Sequence, residues 1–495
     1  MKIYLQSMAD DAARGDLPGA WTTFDFESFS AGKRLWEYQQ RALRRASVAL
    51  WKYYEDCADY RGGEAADADL GRKQRFLRWY EDNGLDARPL ALPLAANAKG
   101  VARLLPEFYD EETLSEGFRA GEPDRLSFAH FVNRMSFWMA TGSGKTLVLV
   151  KLIEMLDALV RRGEIPPRDI LVLAHRDELL QQFAAHVEEF NAAHRGALYI
   201  RLRSLRTYAA AKRDTPNLFA DGELTVFTYR SDNLSDEQKE RIVDFRNYEA
   251  GGGWYVLLDE AHKGDKEDSK RQHIYSILSR RGFLFNFSAT FTDPRDLAAT
   301  ASNFNLSEFV RSGFGKHIAL LRQEIRAFRD AEDFTGAEKQ KIVLKSLLLL
   351  AYVKQAAERV RAVDPRLYHE PLLVVFVNSV NTEDADLKLF FRELERIAGG
   401  DVAAEVWRQA KDELWDELRA RPPYIFEEED GGRLNLDEEM FAAVAPGDVL
   451  RRAFNADSTG AIELCERPSN KNELALKSKV SDKPFALIKV GDAAR

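Results

Sequence analysis

The sequence predicts an α/β protein whose core is a parallel sheet flanked by helices. Segments long enough to be helices separate short apolar runs at 170–175, 224–229, 254–258, 283–287 and 371–377, as in doubly wound sheets. A glycine-rich turn that ends in Lys-Thr joins another apolar stretch to a helix-prone segment, and an acidic pair follows the third run. Because ligands of such sheets bind where the strands end, both patterns are candidates for a ligand site.

The composition is that of a soluble globular protein, with 45% apolar and 31% charged residues in 495. The apolar run at 347–353 is far shorter than the about 20 residues of a membrane span, and the acidic start of the chain does not resemble a signal peptide. With only two cysteines, Cys57 and Cys465, we expect no disulfide framework and a reducing cytoplasm. The net charge of −9 argues against general attraction to nucleic acid but permits a local basic groove.

The turn MATGSGKT at 139–146 has the composition of a phosphate-binding loop. Glycines let backbone N–H groups turn towards an anion, Lys145 would bind the β- and γ-phosphates, and Thr146 would bind Mg²⁺. The strict pattern has glycine where this chain has Met139, so an ordinary strand–turn–helix connection remains the alternative. The candidate nucleotide-binding residues of this turn are Thr141, Gly142, Ser143, Gly144, Lys145 and Thr146.

The acidic pair Asp259-Glu260 follows the apolar run 254–258 and is expected at the carboxyl end of a buried strand. One carboxylate can hold Mg²⁺ while its neighbour orients and deprotonates an attacking water molecule. We therefore predict Lys145, Asp259 and Glu260 as catalytic residues, with Thr146 and Asp259 as the Mg²⁺ ligands.

Together, ATGSGKT and DEAH (259–262) resemble the motifs of superfamily 2 DEAD/DEAH-box helicases. Further matches follow in order, at LWEYQQRAL (35–43), ILVLAHRDELLQQF (170–183), LTVFTYRSDNL (224–234), FLFNFSATFTDP (283–294) and PLLVVFVNSVNT (371–382). Within that superfamily the chain is most similar to the Res motor subunit of type III restriction enzymes and to related phage-defence helicases. This narrower resemblance depends on the spellings MATGSGKT, TYRSDNL and SDKPFALIKVGD.

The resemblance implies tandem RecA-like lobes that bind ATP and Mg²⁺. It implies that Gln39 reads adenine, and that nucleotide state is coupled to lobe movement by His262, Ser288, Ala289 and Thr290. It also implies nucleic-acid contacts at Ala174, His175, Arg176, Tyr229, Arg230, Ser231, Val377, Asn378 and Ser379.

We predict an N-terminal region with the adenine motif at 1–49, a helical insertion at 50–130, a first RecA-like lobe at 131–315, and a hinge with the start of a second lobe at 316–495. The aromatic and basic residues of the insertion either contact nucleic acid or, as we prefer, pack inward with their charges solvated. Motifs V and VI of the family are not found after residue 382. Because motif VI carries the arginine finger, we expect an incomplete second lobe and weak activity of this chain alone.

The resemblance implies an ATP hydrolase that works as a nucleic-acid helicase or translocase, on double-stranded DNA in restriction or antiviral defence. A methyltransferase or specificity subunit, or a nuclease, is the expected protein partner. Two alternatives stay open: an RNA helicase or remodeller, and an ATP-gated regulatory module that binds nucleic acid without translocation.

Overall fold

The computed structural model describes residues 3–13, 17–55, 66–93, 108, 125–214, 222–261, 270–316, 318–319, 336–366, 369–376, 386–420, 424–425, 436–467 and 473–489. The chain divides into two compact units, which we call unit 1 (1–316) and unit 2 (317–495). Each unit has its own hydrophobic core.

A sheet of seven strands forms the centre of unit 1. The strands are β1 Arg134–Met139, β2 Asp169–Ala174, β3 Tyr199–Ser204, β4 Glu223–Arg230, β5 Trp254–Asp259, β6 Phe283–Ser288 and β7 Thr300–Phe304. Their order is β7-β1-β6-β5-β2-β4-β3, and all neighbouring pairs are parallel. The predicted α/β class is confirmed, and the apolar runs near 170, 224, 254 and 283 are strands.

The composition of β5 explains its central position. Trp254 to Leu258 are all buried, as expected for a parallel strand that is covered on both faces. The strand ends at Asp259, the first residue of the predicted acidic pair.

Helices cover this sheet and extend its core towards the start of the chain. They are α1 Tyr4–Ala12, α2 Gly19–Thr22, α3 Glu37–Tyr54, α4 Ala66–Asp82, α5 Lys145–Arg161, α6 Asp177–Ala193, α7 Tyr208–Asp214, α8 Lys270–Leu278, α9 Pro294–Ala298 and α10 Leu306–Arg311. Both α1 and α3 pack against the edge strand β7. Leu5, Met8 and Trp21 belong to the same core as the sheet, so the N-terminal region is part of unit 1.

The described part of the predicted insertion packs inward. Its buried aromatic residues are Tyr53, Tyr54, Phe76, Tyr80 and Phe128. The prediction of solvated charges is wrong for Arg72 and Lys73, which are also buried. Lys73 Nζ donates hydrogen bonds to the carbonyls of His130 at 2.7 Å and Arg280 at 2.5 Å. Since both acceptors lie in other parts of unit 1, these hydrogen bonds attach α4 to the rest of that unit.

Unit 2 combines helices with a small antiparallel sheet. Its helices are α11 Gly336–Val363, α12 Asp386–Ala398, α13 Ala404–Arg419, α14 Glu438–Ala442 and α15 Pro446–Ala453. Its sheet strands are β8 Ile462–Glu466, β9 Glu473–Ser478 and β10 Pro484–Lys489. The apolar run at 347–353 lies in α11, whose buried face contributes to the core of unit 2. Among the helices that the structure describes, none has both the length and the apolar character needed to cross a membrane.

The strand predicted at 371–377 is not found in its described part. Residues 371–376 belong to no strand, and Leu372 and Phe376 are 82% and 92% exposed. The strand pairs in the described part of unit 2 are all antiparallel, so these residues do not contain the expected parallel sheet of a second lobe. β-Branched residues favour a strand only where a neighbouring strand can pack and pair with it.

Candidate nucleotide-binding site

The loop between β1 and α5 has the backbone geometry of an anion-binding turn. Gly142 and Gly144 have φ angles of +83° and +77°, left-handed conformations that glycine adopts without strain. Helix α5 begins at Lys145, so N–H groups of its first turn lack partners within the helix. Ser143 closes the turn by donating from its hydroxyl to the Ala140 carbonyl at 2.6 Å. A phosphate group fits such a combination of glycine-rich turn, helix N-terminus and lysine.

Met139 occupies the position where the strict loop pattern has glycine. It is the last residue of β1, and its side chain is fully buried in the core of unit 1. Its carbonyl accepts a hydrogen bond from Lys145 Nζ at 3.4 Å, and the next carbonyl, of Ala140, accepts one at 3.5 Å. Because the residue has strand conformation, the turn does not need glycine there.

Two side chains at the start of α3 hold the nucleotide loop from outside. The Tyr38 hydroxyl and the Gln39 amide nitrogen both donate to the Ser143 carbonyl at 2.8 Å. Gln39 Oε1 in turn accepts from the Trp36 backbone N–H at 2.8 Å, and the side chain is buried. A side chain at Gly144 would collide with the Gln39 amide. Gln39 therefore contacts the loop directly, while its reading of adenine stays a prediction.

The acidic pair meets the loop lysine at the carboxyl edge of the sheet. Asp259 ends β5, and the Glu260 N–H donates to Asp259 Oδ1 at 3.0 Å. Glu260 has a φ angle of +57°, which is unusual for a residue with a side chain. Lys145 Nζ lies 3.8 Å from Glu260 Oε1. The structure thus brings together the three residues that we predicted to be catalytic.

The surroundings of Asp259 favour cation binding. Burial and the neighbouring Glu260 carboxylate raise the pKa of Asp259 to about 6, against the opposing effect of Lys145. A bound cation would offset the unfavourable burial of this charge. Carboxylate and hydroxyl oxygens are ligands that Mg²⁺ prefers, and Asp259 and Thr146 supply one of each. The residues present therefore fit a Mg²⁺–nucleotide complex.

The predicted coupling residues Ser288, Ala289 and Thr290 form a turn after β6. Ser288 Oγ donates to the Thr290 carbonyl at 2.8 Å and accepts from the Thr290 N–H at 3.1 Å. From the neighbouring strand β1, Trp138 Nε1 donates to the Ala289 carbonyl at 2.9 Å. The turn is therefore fixed both internally and to the strand that leads into the nucleotide loop.

The predicted nucleic-acid contacts at 174–176 and 229–231 lie at the ends of the neighbouring strands β2 and β4, where Ala174 pairs with Arg230. Ala174, Tyr229 and Ser231 are buried, whereas Arg176 is exposed and His175 is half-buried. The Tyr229 hydroxyl donates to the Arg241 carbonyl at 2.8 Å. Side-chain contact with a ligand at this edge is therefore open to Arg176 and Arg230, whereas both ring nitrogens of His175 are buried.

Arg230 is engaged by two carboxylates. It lies 2.5 Å from an oxygen of Asp232 and 2.9 Å from one of Asp177. Hydrogen bonds to these carboxylates raise the pKa of Arg230. A phosphate that binds Arg230 would have to share this guanidinium with them or displace them.

His262, Val377, Asn378 and Ser379 lie outside the described residues. Their coupling and nucleic-acid roles stay predictions.

Sequence reasoning missed an aromatic cluster beside the nucleotide loop. The Tyr38 ring stacks on Phe304 with ring centres 3.9 Å apart, and Trp36 meets Phe314 edge-on at 5.3 Å. Trp36 is 60% exposed and Phe314 is 41% exposed. The sequence shows the aromatic residues Trp36 and Tyr38 close to Gln39. Their partners, Phe304 on β7 and Phe314, are distant in sequence, so local patterns do not reveal the cluster.

Residues 112–293 match the family model described as "Type III restriction enzyme, res subunit". The match spans the nucleotide loop, the acidic pair and the turn at 288–290, all of which meet at one sheet edge. This segment is related to the superfamily 2 helicases. The relationship indicates ATP-dependent, helicase-like activity and use of a nucleotide. A search of curated proteins found no match to the chain.

Proposed function

We propose that the chain is an ATP-dependent nucleic-acid helicase or translocase that acts on double-stranded DNA in restriction or antiviral defence. The observation that supports this most directly is the 3.8 Å approach of Lys145 Nζ to Glu260 Oε1, within the segment that matches the restriction-enzyme family. An ATPase needs this proximity of a phosphate-binding cation and a carboxylate that can act on water.

Each residue of the site has a proposed role. Lys145 and the N–H groups of the loop hold the phosphates, and Thr146 and Asp259 hold Mg²⁺. Glu260 orients the attacking water molecule and accepts its proton. Mg²⁺, when bound, neutralises charge on the phosphate oxygens.

Nucleic acid would bind at the carboxyl ends of β2 and β4. Arg176 and Arg230 would contact mostly phosphate groups, which carry no sequence information. We therefore propose that a methyltransferase or specificity subunit chooses the DNA site and that a nuclease activity cleaves it. We also propose a cytoplasmic location, where the protein would meet its DNA substrate.

The first test is ATP hydrolysis with and without duplex DNA, measured with protein in excess so that slow turnover is visible. We expect duplex DNA to stimulate hydrolysis and Glu260→Gln to reduce the rate by about 10²-fold or more, since the variant loses a general base. Glu308→Gln, on the surface helix α10 of the same unit, is the matched control. If Glu260→Gln hydrolyses ATP as fast as the wild type, the proposed active site is wrong.

The same assay separates the alternatives. Stronger stimulation by single-stranded RNA than by duplex DNA would favour an RNA helicase or remodeller. Binding of ATP without a hydrolytic response to either nucleic acid would favour an ATP-gated module.

A further inference from the structure

Trp138 links two parts of the candidate site that are far apart in sequence. It is the last residue but one of β1 and pairs with Ser288 on the neighbouring strand β6. Its indole N–H donates to the Ala289 carbonyl at 2.9 Å, and its ring meets the edge of Phe291 at 6.4 Å. The side chain is half-buried and packs on the core of unit 1. A rigid ring therefore holds the turn that begins at Ser288.

The residues after Trp138 belong to the nucleotide loop. The carbonyls of Met139 and Ala140 accept from Lys145 Nζ at 3.4 and 3.5 Å. Lys145 is the residue that would turn to the phosphates of ATP, and these two carbonyls would then lose a donor. Within residues 138–140, Trp138 is therefore bonded to the Ala289 carbonyl, and the two residues that follow it are bonded to the lysine proposed to bind phosphate.

We propose that Trp138 is a positioning residue that couples nucleotide occupancy of the loop to the Ser288–Thr290 turn through the hydrogen bond from its indole to Ala289. The idea rests on the proposed function, because the coupling requires that the protein bind both ATP and nucleic acid. Because the turn is predicted to couple nucleotide state to lobe movement, we expect nucleic-acid affinity to respond to bound nucleotide through this bond. By thermodynamic reciprocity, nucleic-acid binding would then alter nucleotide affinity by the same factor.

Trp138→Phe tests the proposal, because phenylalanine keeps an aromatic ring but cannot donate the hydrogen bond. The affinity for a fluorescein-labelled DNA duplex is measured by anisotropy, with and without Mg²⁺ and the non-hydrolysable analogue AMP-PNP. A labelled single-stranded RNA is measured in the same way. For the wild type we expect the analogue to change nucleic-acid affinity by about 5- to 150-fold, the usual range for coupled sites. In Trp138→Phe we expect AMP-PNP to leave nucleic-acid affinity almost unchanged, so that the coupling factor approaches one. The variant should still bind AMP-PNP in the absence of nucleic acid.

Trp254→Phe is the matched control. Trp254 begins β5, two strands from β1 in the sheet, and its indole N–H also donates to a backbone carbonyl, that of Tyr248, at 2.7 Å. This bond lies at the opposite end of β5 from Asp259, so its loss should leave the coupling factor at the wild-type value. Equal loss in both variants would assign the effect to general destabilisation and overturn the proposal.

Wild-type protein offers a second measurement that does not depend on a variant. Addition of AMP-PNP should change hydrogen–deuterium exchange at the amides of 288–291, and unchanged exchange would overturn the role of Trp138. Coupling in the wild type that persists in Trp138→Phe would also overturn that role and leave the proposed function intact. Absence of coupling in the wild type with both nucleic acids would overturn the proposed function and this role together.

Discussion

Among single residues, Gln39 shows most clearly how the fold changes an interpretation made from sequence. The resemblance assigns its amide to adenine, yet the oxygen accepts from Trp36 and the nitrogen donates to Ser143. With 1% of its surface exposed, the side chain has little room for a base as well. The contacts favour a role in holding the nucleotide loop.

We expect Gln39→Ala to weaken the binding of ATP and GTP analogues by the same factor, about tenfold, since it removes a buried hydrogen bond to the loop. Isothermal titration with both analogues would measure this. Gln40→Ala is the control, because Gln40 is the adjacent residue and donates to Leu35 rather than to the loop. A loss of affinity confined to the ATP analogue would instead establish adenine reading.

Among the elements, α4 shows an unexpected dependence on one buried charge. Burial lowers the pKa of Lys73 to about 8, from 10.5 in an exposed lysine, with a further lowering by Arg280 and an opposing effect of Asp69. Between these two pH values the unfolded chain keeps the proton and the folded chain releases it. The free energy of unfolding therefore receives a contribution that rises with pH across this window, by about 3 kcal/mol in total.

Lys73→Met should remove this contribution. We expect the free energy of unfolding of the wild type, relative to the variant, to increase between pH 8 and pH 10, as measured by urea denaturation at both values. Lys33→Met is the control, because the Lys33 side chain is 44% exposed. If the difference in the free energy of unfolding between the wild type and Lys73→Met is the same at pH 8 and pH 10, the pKa of Lys73 is not lowered by burial and the prediction is wrong.

The same elements show what the sequence could and could not predict. The strands β2, β4, β5 and β6 were recognisable because each is a short apolar run. The acidic pair at the end of β5 also identified the carboxylates of the candidate site from sequence alone. The run at 371–377 has similar composition, but in its described part no neighbouring strand pairs with it, so composition alone was misleading. Contacts such as Trp138 with Ala289 depend on strand order, which local patterns do not encode.

At the scale of the whole molecule, the two hydrophobic cores predict two unfolding transitions rather than one. All described residues of the candidate nucleotide site lie within unit 1. We therefore expect AMP-PNP with Mg²⁺ to raise the melting temperature of one transition, with a stabilisation of about 2.7 kcal/mol at 100 times the dissociation constant. Calorimetry would show this shift, and Lys145→Ala should abolish it. An equal shift of both transitions would contradict the assignment of the site to unit 1.

The left-handed backbone conformation of Glu260 lowers the stability of the fold at a residue whose side chain we propose to be needed for activity. A residue with a side chain in that conformation costs the folded state about 1–2 kcal/mol, and glycine would relieve the strain. Glycine would also remove the carboxylate that lies near Lys145. Engineering that selects this protein only for thermal resistance would therefore favour the loss of the group that we propose as the general base of hydrolysis, so stabilised variants must also be selected for turnover.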